Sequence, residues 1–179
     1  ELVPDAAELI SHCRPAAVTI CCTGGSFAGG YGYDQILIRK MKERNGNLPT
    51  TTTSTSTIDA LKKLGIHKIS IAAPYLEEVV QAEKKFVEDH GIQVLDLKWL
   101  SMYGPEIGEI PYETVYSLAK EADKPGSEAI FISCVALHTI KIIEALEHDL
   151  RKPVITSNQV TMWGLLRLAG VNEKIEGYG

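Results

Sequence analysis

The chain has 179 residues, 45% of them hydrophobic and 23% charged, with a formal net charge of −5. That is enough apolar material for a packed core, so the composition excludes a disordered chain. A mildly acidic sequence with no basic cluster argues against nucleic-acid and anionic-membrane partners, and no apolar run approaches the ~20 residues that span a bilayer.

The start, Glu1-Leu2-Val3-Pro4-Asp5, has neither the basic nor the apolar region of a secretory signal. The four cysteines, Cys13, Cys21, Cys22 and Cys134, show no Cys-x-x-Cys pair and no zinc-type spacing with histidine. Free thiols in a reducing, cytoplasmic setting, without a structural metal, follow from this.

Taken in order, short apolar runs alternate with helical patterns. Ala17 to Cys22 reads as a buried strand ending in the glycine-rich turn Thr23-Gly24-Gly25-Ser26. Tyr33 to Arg44 is helical and is stopped by Asn45-Gly46; Thr50 to Thr53 favours a strand. A helix is expected over Thr57 to Leu64, with Ser56 and Asp59 as a capping box. Lys68 to Ala73 is the next strand, Tyr75 to His90 a charged amphipathic helix, and Ile92 to Leu97 a strand. Pro111 suits the first turn of a helix reaching Ala122. Ala129 to Ser133 is a strand leading into Cys134, His138 to Leu150 a helix, Pro153 to Thr156 a strand, and Gln159 to Ala169 the last helix. Strands alternating with helices give an α/β protein with parallel sheet.

Ligands of open α/β sheets sit at the carboxyl ends of strands, where Cys22 and Cys134 both fall. Cys21 and Cys22 point to opposite sheet faces, so Cys22, beside the glycine-rich turn, is the better cleft residue. Free N–H groups of that turn favour a thiolate or a bound carboxylate. The turn is neither a dinucleotide fingerprint nor a phosphate loop, and the same residues would also serve a turn that merely connects strand to helix. Ser54 to Ser56 and Asn158 read as helix caps, and His138 as a solvated residue at a helix start.

Cys22-Thr23-Gly24-Gly25-Ser26-Phe27 resembles the Cys-Thr-Ser-Gly-Ser stretch of maleate cis-trans isomerases and their arylmalonate decarboxylase relatives, in the aspartate/glutamate racemase superfamily. Thr51-Thr52-Thr53-Ser54-Thr55, Ala73-Pro74-Tyr75, Ile132-Ser133-Cys134-Val135-Ala136-Leu137 and Thr156-Ser157-Asn158-Gln159 fit the same pattern in the same order. The resemblance implies two pseudo-symmetric α/β lobes with the site between them. The first would span 1–73 plus 153–179, and the second 74–152. It implies a cofactor-independent isomerase or racemase. The alternatives are an arylmalonate-type decarboxylase, against which the first cysteine argues because decarboxylases of this type keep only the second, and a non-catalytic carboxylate-binding protein of a catabolic pathway. Cys22 and Cys134 would be catalytic, with Thr23, Gly24, Tyr75 and Val135 binding a small carboxylate substrate, and the protein would be a homo-oligomer.

Two departures stand out. The family pattern begins with an earlier strand and polar turn, so the sequence resembles an N-terminally truncated member. Maleate isomerases also tend to carry a substrate-binding Asn where this chain has Tyr103-Gly104-Pro105-Glu106-Ile107-Gly108, which points away from maleate itself.

Overall fold

In the computed structural model, which describes residues 2–178, two small parallel sheets share the chain. The first pairs β1 (Val18–Ile20) with β2 (Thr50–Thr52), Val18 opposite Thr50 and Ile20 opposite Thr52. Before them comes α1 (Val3–Ser11), and between them α2 (Thr23–Phe27) and α3 (Tyr33–Arg44). The second sheet has the order β4-β3-β5-β6, all parallel. Its strands are β3 (Lys68–Ala73), β4 (Gln93–Trp99), β5 (Ala129–Ile132) and β6 (Val154–Thr156). They are linked and covered by α4 (Thr53–Lys63), α5 (Glu77–Asp89), α6 (Tyr112–Ala122), α7 (Ile143–Leu150) and α8 (Ser157–Leu168). Lys68–Ala73 and Val154–Thr156, which the family pattern assigns to the first lobe, thus hydrogen-bond into one sheet with the second-lobe strands.

Strand alternation explains why the second sheet reads as unbroken apolar runs. Ile69, Ile71, Ala129 and Phe131 face one core with Leu61, Val80 and Phe86; Ala72, Ile130, Ile132 and Val154 face another with Val115, Leu137 and Leu146. Helices cover both faces, so both residue parities must be apolar.

Two helix starts differ from expectation by four residues or more. α4 begins at Thr53, because Thr52 caps it by accepting from the Thr55 amide at 3.1 Å; Ser54 and Ser56 sit inside its first turns. α7 begins at Ile143, not His138: the chain leaves β5 through Cys134, whose φ is 96°, and runs through turns before the helix starts.

α4 and α8 cross closely. Gly164 lies where any side chain would collide with Ser56, and Thr161 donates to Thr53 Oγ1 at 2.9 Å. This crossing sets the start of α8, and with it Ser157, between the two sheets. Among the described residues, no helix is long and apolar enough to cross a membrane.

Candidate functional site

Cys22 follows β1 as the residue capping α2. It is exposed, and its Sγ accepts from the Gly25 amide at 3.4 Å. A side chain at position 25 would press on that sulfur at 3.0 Å, so the glycine lets the thiol lie against the turn. Gly24 has open space where its side chain would be, leaving its backbone approachable. Thr23 is buried and anchored: its carbonyl accepts from Ser26 Oγ at 2.9 Å and Ser54 Oγ at 3.4 Å, while Ser26 and Ser54 bond each other at 2.6 Å. Ser54, expected to cap α4, therefore fastens the Cys22 turn to that helix.

Cys134 follows β5 and is buried. Its positive φ is a conformation that L-residues hold only at a cost of about 1–3 kcal/mol. Burial pushes its thiol pKa up, against the opposing pull of the Tyr75 phenol and the Ala136 and Leu137 amides, so the thiol holds its proton. Tyr75 is half-buried beside Cys134 and Ser133; burial first, then the charges of Glu83 and Cys134, keep its phenol un-ionised. Val135, next along the loop, is half-buried. The amides turned toward the Cys134 thiol are those of Ala136 and Leu137, one and two residues beyond Val135.

The strain at Cys134 is testable. Cys134→Gly is expected to be about 1 kcal/mol more stable than Cys134→Ala, because only glycine is unstrained at this φ. Equal denaturation midpoints for the two variants would remove the strain argument.

One residue joins the two cysteine turns. The Ser157 hydroxyl accepts from Thr23 Oγ1 at 2.9 Å and from the Cys134 amide at 3.0 Å, and Ser157 is fully buried. Sequence reasoning did not assign it a role, although it lies in the Thr156-Ser157-Asn158-Gln159 motif. The cap of α8 is Thr156, which forms a capping box with Gln159. Asn158 instead donates to the Leu137 carbonyl at 3.0 Å, tying down the loop beyond Cys134. His138 is exposed and lies against the ring of Tyr112.

Two more buried groups stand behind Cys134. Ser133 Oγ donates to Glu83 Oε1 at 2.5 Å, and Glu83 is 1% exposed. Burial raises the Glu83 carboxyl to about 8, so it is neutral over most of the physiological range. The sequence carried a signal for it. Glu83 stands on the same helical stripe as Val79, Val80, Phe86 and Val87, where an amphipathic helix places apolar residues.

Apart from the Glu83 carboxyl, the polar groups around the cysteines are hydroxyls and amides. The ion pairs of the described residues lie elsewhere, as in Arg44–Glu8 and Lys120–Asp149. An anion here would be held by neutral donors, as in an oxyanion hole. A separate cleft of about 340 Å³ lies along α6, lined by Leu100, Glu113, Ser117 and Glu121, and touches neither cysteine. No cluster of potential metal ligands occurs among the described residues.

Comparison with known proteins identifies the family and the fold. The arylmalonate decarboxylase family model matches residues 1–179. Arylmalonate decarboxylase of Bordetella bronchiseptica is 30% identical over 183 positions, covering 100% of this chain and 76% of its own. Maleate isomerase of Alcaligenes faecalis is 24% identical over 176 positions, covering 95% and 70%. A liganded arylmalonate decarboxylase with glycine-to-cysteine and cysteine-to-serine substitutions has a TM-score of 0.95 at 30% identity, covering 99% of this chain and 77% of that one. The same fold occurs in a Nocardia farcinica maleate cis-trans isomerase mutant with a covalently bound succinylcysteine intermediate, with a TM-score of 0.95 at 18% identity and 99% and 75% coverage. The chain therefore belongs to the arylmalonate decarboxylase family, and its relatives there are enzymes.

Proposed function

We propose that this protein is a cofactor-independent isomerase or racemase of a small carboxylate, working through Cys22 and Cys134. The observation that carries this reading is the pair of thiols at two strand ends, whose turns share the Ser157 hydroxyl. The two cysteines differ in a useful way. Cys22 is exposed and suits a base or nucleophile, whereas buried Cys134 retains a proton to give.

In racemisation, the Cys22 thiolate takes the α-proton and the C–H electron pair spreads into the carboxylate as an enediolate. The Cys134 S–H then delivers a proton to the opposite face of that carbon. In cis-trans isomerisation, Cys22 adds to the double bond, the π pair moves into the adjacent carboxylate, the new single bond rotates, and return of the pair expels the thiolate. Both routes build negative charge on carboxylate oxygens. The Thr23, Gly24 and Val135 amides and the Tyr75 hydroxyl are the donors for it. A maleate isomerase of this fold that holds a succinylcysteine lends support to covalent addition.

Decarboxylation is the second reading, favoured by the 30% identity to a decarboxylase across the whole chain. Turnover in deuterium oxide separates the three. Racemisation places solvent deuterium on the α-carbon. Addition and elimination leave the vinylic hydrogens in place. Decarboxylation releases carbon dioxide. Release of carbon dioxide as the only reaction over a panel of small carboxylates would overturn the proposal.

A further inference from the structure

Glu83 takes no part in the chemistry above, yet it is a fully buried carboxyl group. Oε1 accepts the Ser133 hydroxyl, and Oε2 has no hydrogen-bond partner in the protein. Glu83 also borders a cavity of about 10 Å³, with Thr23, Ser54 and Thr57 on its other walls, room for one water at most. A carboxyl with no cation beside it, set directly behind the residue that precedes Cys134, is costly unless it stays neutral.

We propose that Glu83 is a positioning residue for Cys134: its neutral carboxyl holds Ser133, and so the Ser133–Tyr75–Cys134 cluster, and its ionisation suppresses thiolate formation at Cys134. The inference rests on the reading of Cys134 as a proton-handling residue.

The surroundings isolate this coupling. From the β3–α5 connection and the end of β5, the titratable groups that feel Glu83 are Tyr75 and Cys134. Across the cavity, α2 and α4 present Thr23, Phe27, Ser54, Thr57 and Ile58, none of which ionises in the working range. On α5 itself, Lys84 and Glu88 pair with each other at the surface. A negative charge on Glu83 therefore acts on the phenol and thiol without a neighbouring cation to screen it. Its onset near pH 8 falls below the range in which buried Cys134 ionises.

The test is the rate of Cys134 modification by a small methanethiosulfonate reagent as a function of pH, resolved from the other cysteines by peptide mass spectrometry. In the wild-type protein the logarithm of the rate is expected to climb with unit slope to about pH 8 and then bend before rising again. In Glu83→Gln, which keeps an acceptor for Ser133 and stays neutral, it should climb without the bend and exceed the wild-type rate above it by about tenfold, a one-unit shift of the thiol. Turnover of Glu83→Gln at neutral pH should remain within about threefold of wild type, a difference under 1 kcal/mol. Superimposable curves would overturn the inference; so would an unbent wild-type curve, a result that needs no variant to fold. If the curves separate while Cys134→Ala keeps full turnover, the control of the thiol's ionisation by Glu83 holds, and what falls is the two-cysteine reaction it was to serve.

Discussion

Cys22→Ala and Cys134→Ala should each lower turnover of the true substrate by about 10²–10⁴-fold, the usual worth of a positioned proton-transfer group. The two losses should differ in kind. Cys22 is exposed and presses on the glycine turn, so its removal deletes a thiol with little effect on the fold. Cys134 is buried in the core behind Tyr75, so its alanine variant also leaves a small void and costs about 1 kcal/mol of stability. Their effects should be far from additive, because either loss breaks the same two-sided step; the double variant should be about as slow as the worse single one. Steady-state kinetics of the three variants, with denaturant midpoints to separate stability from chemistry, checks this. Full turnover by both single variants would end the two-cysteine mechanism.

Ser157→Ala should be the most damaging change at a residue that carries no reacting atom. Its hydroxyl is the shared acceptor for Thr23 and the Cys134 amide, and all three groups are buried. Alanine leaves two donors unpaired, at about 1–3 kcal/mol each. It also lets the two turns move independently, and a displacement of about 1 Å at a reacting centre costs on the order of 10²-fold in rate. The expected result is a lower denaturation midpoint together with a lower kcat and a nearly unchanged KM. Asn158→Ala, one residue later but exposed, removes a single bond to Leu137 and should cost about 0.5–1.5 kcal/mol. If the two variants behaved alike, the bridging role of Ser157 would be lost.

The strands were legible because each buried strand is a short apolar run closed by a turn: Lys68–Ala73 was read with its observed ends, and the Ala129 strand to within one residue. The parallel α/β class followed from their alternation with helices. Helix starts were harder. In α4, Ser54 and Ser56 look like caps from their residue type, but they are buried in bonds to Ser26 and Thr51, contacts that only the packed structure supplies. The same limit hid Ser157. Its side chain matters because α8 seats on α4 through Gly164 and Thr161, and no local pattern encodes where a helix will be docked. Glu83 is different. It interrupts an apolar stripe, which is a local signal, but one charged residue among the many of that helix does not stand out unless the stripe is drawn.

The bond between Thr23 and Ser157 joins residues 134 positions apart in the chain. The contact closes a long loop, and closing a loop of this length carries an entropic cost. The consequence is that the thiol pair depends on how α8 is docked: the clasp between the two turns is made by that helix's first residue, so whatever loosens its seat on α4 also parts the cysteines.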